Sequence, residues 1–227
     1  MALPLMPNSL DHVALWTDER DALAAFLCDH LGMHEIERTD AFTLVGVDAK
    51  LGKLTLFDAD GPRDPGALER VVLRVGDLEA AVAALPVPVE RENGAALFDA
   101  PGGLRMGLVE APGTEYDLDH VVISVPDTDS AAERLTEMGF DRSDGSLTVD
   151  DRAVRLEQGA ADDGGRPLLN HIALLVDSAR GLETEAERHG FEVDDVKDAA
   201  NTFAVFLKGP AGLRVEYVEH KPGFALV

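Results

Sequence analysis

Four short apolar segments carry the residues of this chain best suited to chemistry. LDHVALWT, LERVVLRV, LDHVVISV and LNHIALLV begin at Leu10, Leu68, Leu118 and Leu169, and aligning them stacks His12, Arg70, His120 and His171 in one column. Neutral imidazole is the commonest side-chain ligand for transition metals, and a carboxylate beside two of them makes an open three-ligand set. The segment LRVEYVEH near the end of the chain supplies such a carboxylate, Glu216. His120, His171 and Glu216 together would form a facial triad suited to Fe(II) or Mn(II), with coordination positions left for a substrate and a small oxidant. A closed structural zinc site would ask for four protein ligands, usually including thiolates, whereas this chain has one cysteine, Cys28.

The elements that must position these residues repeat. The column recurs at intervals of 58, 50 and 51 residues, and each of its segments alternates apolar residues as a half-buried strand does. Helical patterns follow, introduced by Thr17-Asp18-Glu19, Asp127-Thr128-Asp129 and Asp177-Ser178, with a shorter one in LEAAVAAL. Three of the helices stop at a glycine followed by a large apolar residue: Gly32-Met33, Gly139-Phe140 and Gly190-Phe191. Three short strands fit after each helix, so the unit reads strand, helix, strand, strand, strand. PGGLRMGLVEAP and PAGLRVEYVEHKP close the second and fourth units almost residue for residue. The expectation is an α+β protein of four βαβββ modules, paired into two similar domains with cupped mixed sheets. Residues 1–112 would form an N-terminal domain without a metal site and residues 113–227 a C-terminal domain with one.

Pairing within each half puts first-strand and last-strand columns around one cavity. The C-terminal half then holds His120, His171 and Glu216, while the N-terminal half holds His12, Arg70 and Gly107, which cannot retain a metal. His12 reads as an ordinary strand histidine. Strand parity places Val218 and His220 on the face of Glu216, with Val215 and Tyr217 against a helix. His220 is a candidate acid or base at the cavity rim, or else a solvent-exposed histidine near a tail. Arg155 and Glu157 should face the cavity, with Val154 and Leu156 toward the helix. Glu157 is either a fourth ligand or a solvated strand-end carboxylate.

Composition limits the partners. Lys and Arg number 20 against 43 Asp and Glu, a formal charge of −23, so a nucleic acid would be repelled. A lone cysteine gives no disulfide framework, and no run approaches the roughly 18 apolar residues of a spanning helix. The expectation is a cytoplasmic protein with a small-molecule substrate and no membrane partner, as a monomer or homo-oligomer.

These motifs resemble the vicinal oxygen chelate superfamily, which includes glyoxalase I, methylmalonyl-CoA epimerase, bleomycin-resistance proteins and type I extradiol dioxygenases. Four modules in one chain with metal ligands in the second half is similar to the two-domain extradiol enzymes. In them the first-strand histidines of modules three and four and the last-strand glutamate of module four bind Fe(II), which corresponds to His120, His171 and Glu216. Pro210, Gly212, Glu216 and Tyr217 match the surrounding pattern. The resemblance implies a dioxygenase acting on a catechol-like substrate, with Arg155 to neutralise an anionic substrate group. Two departures stand out: Phe206 replaces the family's tyrosine, and Arg152 or Arg155 its second histidine. The rival readings are a glyoxalase-type lyase, isomerase or epimerase using Ni(II), Co(II) or Zn(II), and a binding protein without catalysis.

Overall fold

A computed structural model describes residues 3, 6–48, 52–143, 145–160, 165–222 and 224. The chain runs through the same unit four times. The first module is β1 (Ser9–Thr17), α1 (Arg20–His30), β2 (His34–Arg38), β3 (Phe42–Gly46) and β4 (Lys53–Asp58). The second is β5 (Leu68–Val75), α2 (Leu78–Ala83), β6 (Glu90–Glu92), β7 (Ala95–Asp99) and β8 (Arg105–Glu110). The third comprises β9 (Tyr116–Val125), α3 (Thr128–Glu137), β10 (Asp141–Ser143), β11 (Ser146–Val149) and β12 (Arg152–Gln158). The fourth is β13 (Leu169–Leu175), α4 (Leu182–Arg188), β14 (Val193–Asp198), β15 (Thr202–Lys208) and β16 (Arg214–His220).

Local signals set the helix ends. Asp127 caps α3 by accepting the Ser130 N–H at 3.0 Å, and Asp77 caps α2 by accepting that of Ala80 at 2.9 Å. Gly139 and Gly190 follow α3 and α4 at φ of 102° and 77°, a left-handed conformation that glycine enters without steric cost. The fourth helix starts later than its sequence signal. Ser178 turns its hydroxyl to Glu219 on β16 at 3.0 Å instead of capping a helix, and α4 begins after Gly181.

Strand pairing corrects the expected division into halves. One eight-stranded sheet runs β14-β15-β16-β13-β1-β4-β3-β2, joining the fourth module to the first; the other runs β10-β11-β12-β9-β5-β8-β7-β6, joining the third to the second. Residues 1–112 and 113–227 therefore each contribute one module to each sheet. The two antiparallel seams are equivalent. In the first sheet His12 lies opposite Ala173 and Ala14 opposite His171; in the second Arg70 lies opposite Val122 and Val72 opposite His120. Either combination of modules buries the same kind of surface, because every first strand is apolar on both faces near its centre.

One large apolar core runs through both sheets and their helices, including Leu15, Leu54, Leu73, Leu104 and Tyr217. Full burial of each such leucine contributes about 2 kcal/mol. A second small cluster of Ala173, Ala204, Phe206 and Val218 lies on β13, β15 and β16. Among the described residues no helix is long and apolar enough to cross a membrane.

Candidate metal centre

Among the described residues, one group of His, Cys, Asp and Glu side chains brings three ligand atoms together: His12, His171 and Glu216. His12 comes from β1, His171 from β13 and Glu216 from β16. The antiparallel seam sets the two imidazoles side by side, and the parallel pairing of β13 with β16 places Glu216 opposite Ala173, two residues beyond His171. His12 Nε2 is 3.1 Å from His171 Nε2 and 3.2 Å from Glu216 Oε2, which in turn is 2.9 Å from His171 Nε2. With metal–ligand bonds of about 2.1 Å, donors at right angles around one ion lie about 3.0 Å apart. The donor set therefore fits one face of a divalent ion's coordination shell.

This result changes one member of the expected set. His171 and Glu216 lie together, but His120 sits on β9 in the other sheet, and His12 occupies the place assigned to it. The physical reason is the strand pairing, which brings β1 rather than β9 against β13.

Each imidazole is aimed by the residue just before it. His12 Nδ1 is bonded to Asp11 at 2.8 Å and His171 Nδ1 to Asn170 Oδ1 at 2.9 Å, which leaves both Nε2 atoms for the triad. Asp11 is itself buried and tied to Lys53 Nζ at 2.8 Å. Arg214 approaches Asn170 at 3.4 Å, so each orienting residue has a cation behind it.

The charges are arranged for a cation. Burial works against ionisation of Glu216, yet the two imidazoles outweigh it and hold the carboxyl down at about 2. Burial likewise opposes a charged His12, but the bonds to Asp11 and Glu216 prevail and raise it to about 9. His171 is pushed below the ordinary histidine value, first by burial. A proton on His12 is thereby favoured between Asp11 and Glu216.

A cavity of about 180 Å3 opens over the triad. Phe42, Phe57, Phe206 and Phe224 supply apolar wall, and Phe206 meets the His171 ring edge-on at 5.2 Å between centroids. Val218 and His220 face this cavity with Glu216, as strand parity predicts, while Tyr217 points the other way and donates to the Met138 carbonyl at 2.6 Å. His220 stacks on Phe224 at 3.9 Å and lies 3.5 Å from Asp11 Oδ1. Burial lowers its pKa.

Arg155 and Glu157 are not at this cavity. Both belong to β12 in the other sheet, where Glu157 is bonded to Arg70 at 2.7 Å, so Glu157 is not a fourth ligand and Arg155 does not face the triad. The register identifies what stands at the fourth place. Thr55 lies opposite Ala14 as Glu216 lies opposite Ala173, so a hydroxyl occupies the position related by the sheet's twofold to the carboxylate. The same positions in the sister sheet are Arg155, opposite Val122, and Gly107, opposite Val72. That sheet combines His120 with Arg70 and Arg155, two guanidiniums that repel a cation.

Sequence reasoning read His12 as an ordinary strand histidine and passed over Asp11, Asn170, Lys53 and Thr55. The signal for the orienting residues was present in Leu10-Asp11-His12 and Leu169-Asn170-His171. A signal for His12 was present too: joining the third and fourth modules would have put Arg155 beside His171 and Glu216, whereas joining the first and fourth puts Thr55 there.

The family model of the Glyoxalase/Bleomycin resistance protein/Dioxygenase superfamily matches residues 9–145, which span the first two modules and the start of the third. No curated protein matches the sequence. Solved structures share the fold. A Bacillus subtilis subsp. subtilis str. 168 protein provisionally described as a dioxygenase gives a TM-score of 0.78 at 17% identity, covering 97% of this chain and 88% of that one. Glyoxalase I from Zea mays gives 0.72 at 16% identity, with 93% and 92% covered. The cppA protein from Streptococcus pneumoniae TIGR4 gives 0.65 at 14% identity, with 95% and 99% covered. The repeated modules, their paired sheets and the match across 9–145 make this chain a member of the Glyoxalase/Bleomycin resistance protein/Dioxygenase superfamily.

Proposed function

We propose that the protein is a mononuclear metal enzyme in which His12, His171 and Glu216 hold a divalent ion, and that its substrate is a small, catechol-like molecule chelating through two neighbouring oxygens. The observation that carries this reading is the mutual spacing of the three donor atoms, 2.9 to 3.2 Å, beneath an aromatic-walled cavity. Two imidazoles and one carboxylate suit Fe(II) best, and the same donors accept Mn(II), Co(II), Ni(II) or Zn(II). A bound ion would supply Lewis acidity to the chelated oxygens and, as iron, electrons for dioxygen.

The chain's own side chains do the remaining work. Phe57 and Phe206 flank a planar ring and keep water away, and the small Thr55 leaves coordination positions free where a second carboxylate would fill one. Its hydroxyl donates to a substrate oxygen. His220 is neutral at pH 7 because burial lowers its pKa, and its ring nitrogen accepts the proton of a substrate hydroxyl; Asp11 at 3.5 Å then stabilises the imidazolium. Ring-cleaving oxidation is the reaction we infer. Protein loaded anaerobically with Fe(II) should consume about one dioxygen per catechol supplied, followed at an oxygen electrode. Fully loaded protein that consumes none with alkyl-substituted, carboxylated or plain catechols would overturn the assignment.

One observation favours a second reading, a metal-dependent isomerase or lyase of the glyoxalase kind. The triad spans the first and fourth modules, not the third and fourth as the resemblance to extradiol enzymes implied. Anaerobic exchange of a substrate α-hydrogen with deuterated water, in protein that shows no oxygen uptake, would select it.

A further inference from the structure

The sheet without the triad reaches into the one that has it. Asp117 on β9 and Arg152 on β12 form a buried pair, with Arg152 Nη2 at 3.1 and 3.0 Å from the two carboxylate oxygens. Neither residue faces the cavity over the triad, and neither has a part in the chemistry above. Both hold the backbone of the other sheet. Arg152 Nη1 donates to the Leu10 carbonyl at 3.1 Å and to the Ser9 hydroxyl, and Asp117 Oδ1 accepts the Gly52 N–H at 2.8 Å. Leu10 precedes Asp11 and Gly52 precedes Lys53. One buried pair thus fixes the two strand ends that carry the Asp11–Lys53 ion pair, and Asp11 aims His12.

We infer that Asp117 and Arg152 are positioning residues for His12, so that the module pair lacking a metal site sets the ligand geometry of the pair that has one. This rests on the metal reading proposed above. The Asp11–Lys53 pair bridges β1 and β4, and its geometry depends on how those strands are held at the ends where Leu10 and Gly52 lie. A guanidinium that reaches both oxygens of a carboxylate through Nη2 while donating through Nη1 to a carbonyl on β1 fixes distance and angle together, which an apolar contact does not. Arg74 adds a second guanidinium, 2.5 Å from Asp117 Oδ2, so the carboxylate keeps a cationic partner when Arg152 is replaced.

The test uses the full-length protein, stripped of metal and titrated anaerobically with Co(II), whose absorption bands report ligand geometry. Arg152→Met should weaken Co(II) binding about tenfold, as loss of an outer-sphere partner does, and should shift the absorption bands. Arg152→Lys, which restores the charge and one donor, should recover part of both. Arg91→Met, on an exposed pair with Glu79, should change neither. If Arg152→Met does not fold, Arg152→Lys and Asp117→Asn carry the comparison, each with a smaller loss of affinity and a shifted spectrum. Variants that melt earlier but bind Co(II) with the affinity and spectrum of the parent would overturn the inference while leaving the metal centre intact. A parent protein that takes up no Co(II) would instead bring down the metal reading, and this inference with it.

Discussion

The two sheets of this molecule are built on one plan and differ in what they can hold. Their seams have the same register, and in both a histidine follows an aspartate that takes its Nδ1: Asp11 before His12, Asp119 before His120 at 2.5 Å. Scaffold and imidazole orientation are thus common property. What separates the sheets is the rest of each ring of four positions. His12 is joined by His171, Glu216 and Thr55, whereas His120 is joined by Arg70, Arg155 and Gly107. A well-aimed histidine does not make a metal site; the second donor and the carboxylate do, and a guanidinium in either place prevents it.

The comparison can be broken most severely at Glu216. Glu216→Ala removes the only carboxylate of the triad and leaves two imidazoles in a buried place, so Co(II) affinity measured by titration should fall by about a hundredfold or more. The same change at Glu157 in the sister sheet should leave it unaltered, since that carboxylate serves Arg70.

The protonation of His12 gives the next largest effect. Its pKa is raised to about 9 by Asp11 and Glu216 against the opposing effect of burial, and a metal must displace that proton. Apparent affinity should therefore rise about tenfold per pH unit between 7 and 9 and level off above. For folding the sign is opposite. A group whose pKa is higher folded than unfolded stabilises fully below its unfolded value, about 6.5, and loses that contribution as pH rises through about 9. Metal-free protein should melt lower at pH 9.5 than at pH 6.5, and bound metal should reduce the difference.

A smaller and constructive test reverses the asymmetry. Arg70→His together with Arg155→Glu gives the sister sheet the donors of the first at register-equivalent positions. Metal content by elemental analysis should rise from one to nearly two ions per chain, the second binding more weakly because Leu97 and Val72 crowd the place at Gly107.

Much of this arrangement was legible in the sequence. The fourfold βαβββ unit, the glycine stops after α3 and α4, and the parity that turns Glu216, Val218 and His220 inward while burying Tyr217 all follow from local periodicity, which is a property of neighbouring residues. The choice of modules that share a sheet was not legible. It depends on which apolar first strand meets which, and the seams are interchangeable: Val13 faces Ile172 in one and Val71 faces Val121 in the other. His12 and His120 lie in the same tetrapeptide, Leu-Asp-His-Val, so nothing local distinguishes them. Long-range hydrogen bonds between Asp117 and Gly52 and between Arg152 and Leu10 tie the sheets together, and their partners lie 65 and 142 residues apart. Only electrostatics offered a guide, because Arg155 would have stood beside the two imidazoles and the carboxylate had the third module joined the fourth.

The most direct trial of the account compares two single substitutions of these twin histidines. Metal-free parent, His12→Ala and His120→Ala proteins would be titrated with Co(II) in parallel, each checked for folding by circular dichroism. The account predicts one tightly bound ion in the parent and in His120→Ala, and a loss of about a hundredfold or more in affinity in His12→Ala. Tight binding retained by folded His12→Ala and lost in His120→Ala would contradict it.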